Sequence, residues 1–262
     1  MLHPRRAVQL AAFLAVIVSG QTSVPAFGPF DGMTAIGAPP AAGDVIFNEY
    51  AGDNDTSEND FFELLVLGNN VDLRGLRISD NEAGKNGALN NGESVFVLGT
   101  DAYLSAVPRG TTIAIWTIAA GVTTDTVVNP AARDWKMVLA PGTGVTTGVD
   151  RLGGILNAGL STGGDALYLY LPGPDGSSAG TDNIYLDFIS WEDDEATAPA
   201  GLADLHLSSA ADNAYYTGNT AAGNDRGSEW HRYDGAPNAS TTPGEPNPKQ
   251  DLAGLRTASG KV

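Results

Sequence analysis

The residues best suited to chemistry in this chain are acids, and they are clustered. Between residues 53 and 60 the sequence Asp-Asn-Asp-Thr-Ser-Glu-Asn-Asp places four carboxylates, Asp53, Asp55, Glu58 and Asp60, in eight positions. A second cluster, Glu192-Asp193-Asp194-Glu195, follows Trp191. Carboxylate and amide oxygens at this density suit a hard cation such as calcium, which takes six to eight oxygen ligands in flexible geometry. Asp53, Asp55, Glu58, Asp60, Asp193 and Asp194 are therefore the candidate metal ligands, and Ca2+ the candidate ion. The spacing is not that of an EF-hand loop, since the required Gly and terminal Glu are missing. Asp and Asn also cap turns through their side-chain oxygens, so a solvated acidic surface is the competing reading.

Glu49 and Glu63 form a different pair, each within or at the end of an apolar run. Paired carboxylates can hydrolyse glycosides. A strand Glu can equally bond an orphan backbone amide or pair with a base such as Arg74 or Arg77. Nucleophilic catalysis has little to build on: the chain has no cysteine, no Gly-x-Ser-x-Gly elbow and no His-Glu-x-x-His helix. His206 and His231 would need a Ser and an acid brought to them by the fold. The Gly142-Thr143-Gly144 and Gly163-Gly164 stretches lack the Lys-Ser/Thr of a phosphate loop and read as turns. Trp116, Trp135, Trp191 and Trp230 with Tyr215-Tyr216 would make a carbohydrate platform only if exposed in one row, and otherwise belong to core and edge packing.

The elements that must position these groups are β-strands. Short runs rich in Val, Ile, Leu, Phe and Tyr are separated by Gly, Asn, Asp and Pro. They predict strands near Val45–Tyr50, Phe61–Leu67, Arg74–Ile78, Ser94–Leu98, Thr112–Trp116, Ala166–Leu171 and Tyr185–Trp191. Leu167, Leu169 and Leu171 alternate with Tyr168 and Tyr170, the pattern of a strand covered on its leucine side. Asn69-Asn70 and Asn90-Asn91-Gly92 suit tight turns, because Asn and Gly tolerate positive φ. Two stretches, 119–157 and 193–228, are rich in Thr, Gly, Pro, Ala, Asn and Asp and read as long insertions between strands.

Six blocks along this pattern carry a family likeness. They are Asn48-Glu49, Asp60-Phe61-Phe62-Glu63-Leu64, Val71-Asp72-Leu73-Arg74-Gly75-Leu76-Arg77-Ile78-Ser79-Asp80, Gly164-Asp165-Ala166-Leu167-Tyr168-Leu169-Tyr170, Leu186-Asp187-Phe188-Ile189-Ser190-Trp191 and Thr242-Pro243-Gly244-Glu245-Pro246-Asn247. In order and spacing the chain resembles the lamin-tail domain family. The resemblance implies an all-β, immunoglobulin-like β-sandwich over residues 44–247 with two elaborated loop insertions. It also implies structural parts for Glu49 and Glu63, and makes Arg232, with His231 beside it, the short strand before the closing Thr-Pro-Gly. Bacterial members look like adhesion, tethering or interaction modules. A sandwich is a scaffold, and its fold does not fix its activity.

The first 26 residues set the expected location. Arg5 and Arg6 precede the apolar run 7–20, and small residues follow, as in a secretory signal peptide. The run is short for a bilayer span, and no later stretch is apolar enough, so no transmembrane segment is expected in the mature chain. Residues 27–43 read as a flexible linker and 248–262 as a polar, frayed tail. Of 14 Lys and Arg, removal of Arg5 and Arg6 leaves 12 against 31 acids, a formal charge of −19. Such a chain repels nucleic acid and anionic lipid. Without cysteine it must stand on its core alone, for which roughly 236 residues (262 less 26) suffice. The expected function is an exported, non-catalytic binding or structural module acting on a protein or cell-surface polymer, secreted or held at the cell surface. The alternative is an extracellular calcium-dependent hydrolase or carbohydrate-binding protein with its site in the insertions.

Overall fold

A computed structural model of the chain describes residues 36–52, 60–80, 95–147, 160, 164–174, 182–192, 196–207, 213–233 and 241–256. The predicted signal peptide, the Asn90-Asn91-Gly92 turn and the candidate ligands Asp53, Asp55, Glu58, Asp193 and Asp194 lie outside the described residues.

The fold is all-β. Twelve strands are described: β1 (Val45–Ala51), β2 (Phe61–Val66), β3 (Arg77–Ser79), β4 (Val95–Leu98), β5 (Thr112–Trp116), β6 (Lys136–Pro141), β7 (Gly144–Thr147), β8 (Gly164–Leu171), β9 (Ile184–Glu192), β10 (His206–Leu207), β11 (Asn213–Tyr216) and β12 (Trp230–His231). One short helix, α1 (Ala221–Asn224), follows β11. The strands form one mixed sheet in the order β10-β9-β8-β3-β4-β7-β6-β5-β2-β1-β11-β12, nearly barrel-shaped. β6 runs parallel to both β5 and β7, β10 runs parallel to β9, and the other pairs are antiparallel. The sheet curls until its two halves meet. Tyr50 of β1 stacks on Trp191 of β9 with ring centroids 4.0 Å apart, and Phe62 of β2 meets Phe96 of β4 edge-on at 5.2 Å. A single apolar core drawn from both halves fills the interior.

Several expectations need correction. The two predicted insertions contain strands: β6 and β7 fall in the first, β10, β11 and helix α1 in the second. Lys136-Met137-Val138-Leu139 is too short and mixed to declare itself, yet Met137 and Leu139 are fully buried between β5 and the core. Gly142 and Gly144, both at positive φ, turn the chain between β6 and β7, as read from the sequence. Arg74–Ile78 is a strand only from Arg77, because Gly75 at φ 76° makes a turn. Folded structure begins before residue 44, where Gly37 N donates to Ser105 O. It also continues past residue 247: Leu252 and Leu255 are buried, and Arg256 Nε donates to Gly110 O at 2.8 Å. Up to residue 256 the tail is packed, not frayed.

The tyrosine face of β8 is also covered. Tyr168 and Tyr170 are as buried as Leu167 and Leu169, in a second cluster with Ala166 and Phe188 under Ala196, Ala198 and Leu202. Alternation separates two faces but does not say that one of them meets water. A phenol is apolar enough to pack on both sides of a strand.

Candidate functional site

Strand β1 carries the centre of interest, and a bulge creates it. β1 pairs with β2 in register up to Phe47 opposite Leu64 and resumes at Glu49 opposite Glu63, leaving Asn48 as the extra residue. A bulge removes backbone groups from the ladder, and buried backbone groups need partners. Phe47 N donates to Asp187 Oδ2 of β9 at 2.6 Å, and Phe47 O accepts from Asn224 Nδ2 of α1 at 2.5 Å. Asn48 O accepts from Asn247 Nδ2 at 2.8 Å.

Resuming the register sets Glu49 directly opposite Glu63, and Glu63 opposite Ala114 of β5. All three lie on the face turned away from the core, and a strap from residues 242–250 seals them there. Glu245 N donates to Thr242 O at 2.8 Å, closing a turn with Pro243 first and Gly244, at φ 82°, second. This is a type II turn, which takes Pro then Gly for that reason. Gly244 N donates to Glu63 Oε2 at 2.5 Å, and Gly244 O accepts from Thr112 Oγ1 at 2.6 Å. Glu63 Oε1 accepts from Asn48 Nδ2 at 2.6 Å, so both its oxygens are occupied. Thr242 N donates to Glu49 Oε1 at 3.2 Å. Gln250 Nε2 donates to Asn48 Oδ1 at 2.7 Å and to Gly218 O at 2.8 Å.

Two fully buried carboxyls facing each other cannot both ionise cheaply. Burial, with only partial relief from the Thr242 amide, raises Glu49 to about 7. Burial and then the Glu49 charge push Glu63 well above the usual carboxylate range, against the pull of Asn48, Gly244 and Arg256. The hydrogen bonds agree. Thr242 Oγ1 lies 3.2 Å from Glu49 Oε2 and 3.0 Å from Asn247 Oδ1, and one hydroxyl proton cannot serve two acceptors. A protonated Glu49 donating to Thr242, which donates to Asn247, satisfies all three. Tyr233, raised first by burial and then by the Glu49 charge, completes the group as a phenol.

A lone buried carboxyl sits on the other side of β1. Asp187, raised to about 8 by burial, holds Phe47 N and lines a cavity of about 180 Å3 with Leu186, Ala221 and Asp225. The sequence offered a signal for it, an acid inside the apolar run 184–191, but gave it no role.

The remaining candidates fall out as follows. Asp60 is buried, and its Oδ2 accepts from Leu160 N at 2.8 Å, which makes it a cap for that backbone. Among the described residues no three His, Asp or Glu side chains converge as a metal site would need. Arg74 pairs with Asp72 at 2.6 Å, not with a strand Glu. Ser190 Oγ and His206 Nδ1 are 3.0 Å apart, but Ser190 is fully buried between β9 and the 205–206 backbone, closed to any substrate. His231 is exposed on the edge strand β12, where it was expected. Trp135, Trp191 and Trp230 are buried and form no platform, while Trp116 is half-buried against Phe61. Sequence reasoning missed Asn224, Asn247 and Gln250, whose amides have no pattern until the bulge is seen.

No family model, curated protein or solved structure matches the chain.

Proposed function

We propose that this chain is an exported lamin-tail-like module, an immunoglobulin-like sandwich that works by binding or structure at the cell surface or beyond it. Its partner is a protein or a cell-surface polymer. The observation that carries this reading is the occupation of Glu63. The facing pair Glu49 and Glu63 spends its oxygens on Asn48, Thr242 and Gly244, which belong to the first and last of the motif blocks. Those blocks, 193 positions apart in the chain, meet in one buried network, which is what a motif kept for architecture would do. The aromatic contacts between the two halves of the sheet support a sandwich-like packing of the core.

The hydrolase alternative draws less support, because Ser190 is closed off and Asp60 is engaged. Expression of the full chain in a bacterial host with N-terminal sequencing of the exported fraction tests secretion, with cleavage expected between residues 20 and 27. Co-sedimentation of the exported protein with isolated envelope tests binding. Recovery of intact Met1 material in the cytosol alone, or turnover of envelope polymer by the purified protein, would overturn the reading.

A further inference from the structure

In a chain with 14 Lys and Arg against 31 Asp and Glu, positive charges that gather are the exception. Three gather beside the strap. Arg133, Lys136 and Arg256 line one cavity of about 320 Å3, walled by Trp135 and by Gly244 of the turn. That volume is at the lower end of small-molecule sites.

The three cations are held differently. Arg256 is fixed from behind: Nε donates to Gly110 O at 2.8 Å and Nη2 to Thr112 Oγ1 at 3.3 Å. Lys136 Nζ is 2.9 Å from Glu245, an exposed pair that a competing anion can open. Arg133 has no carboxylate partner among the described residues, although it follows a turn (Pro130–Ala132) in a strongly acidic protein. Its backbone is left-handed, at φ 62° and ψ 27°, as at the end of a helical turn, which fixes where its side chain leaves the chain. Asp134 and Glu245 also line the cavity, and Asp125 and Glu63 act on Lys136 and Arg256 from behind it, so the charge least offset by acids is that of Arg133.

We propose that this cavity binds a small oxyanion-bearing molecule, with Arg133 as the deciding charge and Arg256 and Lys136 as its supports. A planar guanidinium fork matches carboxylate, sulfate and phosphate oxygens in pairs. Three bases around one cavity suit a molecule with more than one such group. The cavity adjoins the buried carboxyl pair through Gly244 and Arg256, and its binding does not depend on export.

Calorimetric titration of the full chain with sodium citrate, sodium sulfate and sodium phosphate, each against sodium chloride of equal ionic strength, tests it and separates the three oxyanions. Saturable binding of at least one is expected. Arg133→Gly, which keeps the left-handed backbone without a side chain, should weaken it tenfold or more. Glu245→Gln, which frees Lys136, should tighten it. Arg74→Ala, a cation outside the cavity, should leave it unchanged. Heats that follow ionic strength alone for all three salts, or equal affinity in Arg133→Gly, would overturn the proposal; so would an unchanged affinity in Glu245→Gln.

Discussion

Strand β1 is completed from two sides by buried acids, and the two sides solve the same problem differently. On the face away from the core, Glu49 and Glu63 meet as a pair and are sealed by the 242–250 strap. On the side toward β9, Asp187 acts alone, giving Phe47 the acceptor that the bulge took away. A lone acid needs only amide donors, whereas a facing pair must also keep a proton. The pair therefore ties the strap to pH, and Asp187 ties β9 to β1.

The largest effect expected from this contrast is a pH dependence of stability. These carboxyls have folded pKa values above their ordinary ones, so the folded chain holds protons that the unfolded chain releases. Their stabilisation is fully present below the ordinary values of 4.5 for Glu and 3.8 for Asp. It is lost as pH climbs through about 7 for Glu49 and about 8 for Asp187. At about 1.4 kcal/mol per pH unit for each proton held in excess, urea melts from pH 5 to 8 should lose on the order of several kcal/mol. Glu49→Gln should reduce the slope up to about pH 7, and Asp187→Asn should reduce it across the whole range up to about pH 8. A profile that rises over this range would mean that the pair is ionised in the fold.

Glu63→Ala orphans Gly244 N and leaves Asn48 Nδ2 only its long bond to Gln250 Oε1, and should cost about 3 kcal/mol at pH 5 by chemical denaturation. Asp187→Ala takes its acceptor from Phe47 N and should cost about 2 kcal/mol, loosening hydrogen-exchange protection at Phe47 while sparing Gly244. If both variants loosen the same amides, the two sides are one unit and the contrast fails. Gly244→Ala, strained at φ 82°, should cost about 1 kcal/mol. Lys136→Ala, which breaks only the exposed pair to Glu245, should move the midpoint by less than about 0.5 kcal/mol.

Legibility in the sequence followed burial and locality. Thr112–Trp116 was read with its true limits because a β-branched and aromatic run bounded by Gly and Pro has one local explanation. β6 and β11 escaped because four to six mixed residues become strands only through the neighbours they pair with. Glu49 and Glu63 were read as structural acids because they match a Glu in the motif blocks of the family the sequence resembles. Their partners were not, since nothing local marks Asn247 or Gln250 as the other half of a bulge at Asn48. Acid density singled out the loop at 53–60, of which Asp60 is the described acid; its Oδ2 accepts from Leu160 N, a partner 100 positions away that no local pattern announces.

The strap also has a consequence in time. Glu49 and Thr242 are 193 positions apart, so β1 and β2, which are neighbours in the chain, can pair while their buried acids wait for residues 242–250. Contacts of such separation close late, since each must bear the entropy of a long loop before it is rewarded. Until residues 242–250 dock, the polar bulge of β1 and its facing acids stay uncovered, which makes the strap the last part of this region to close.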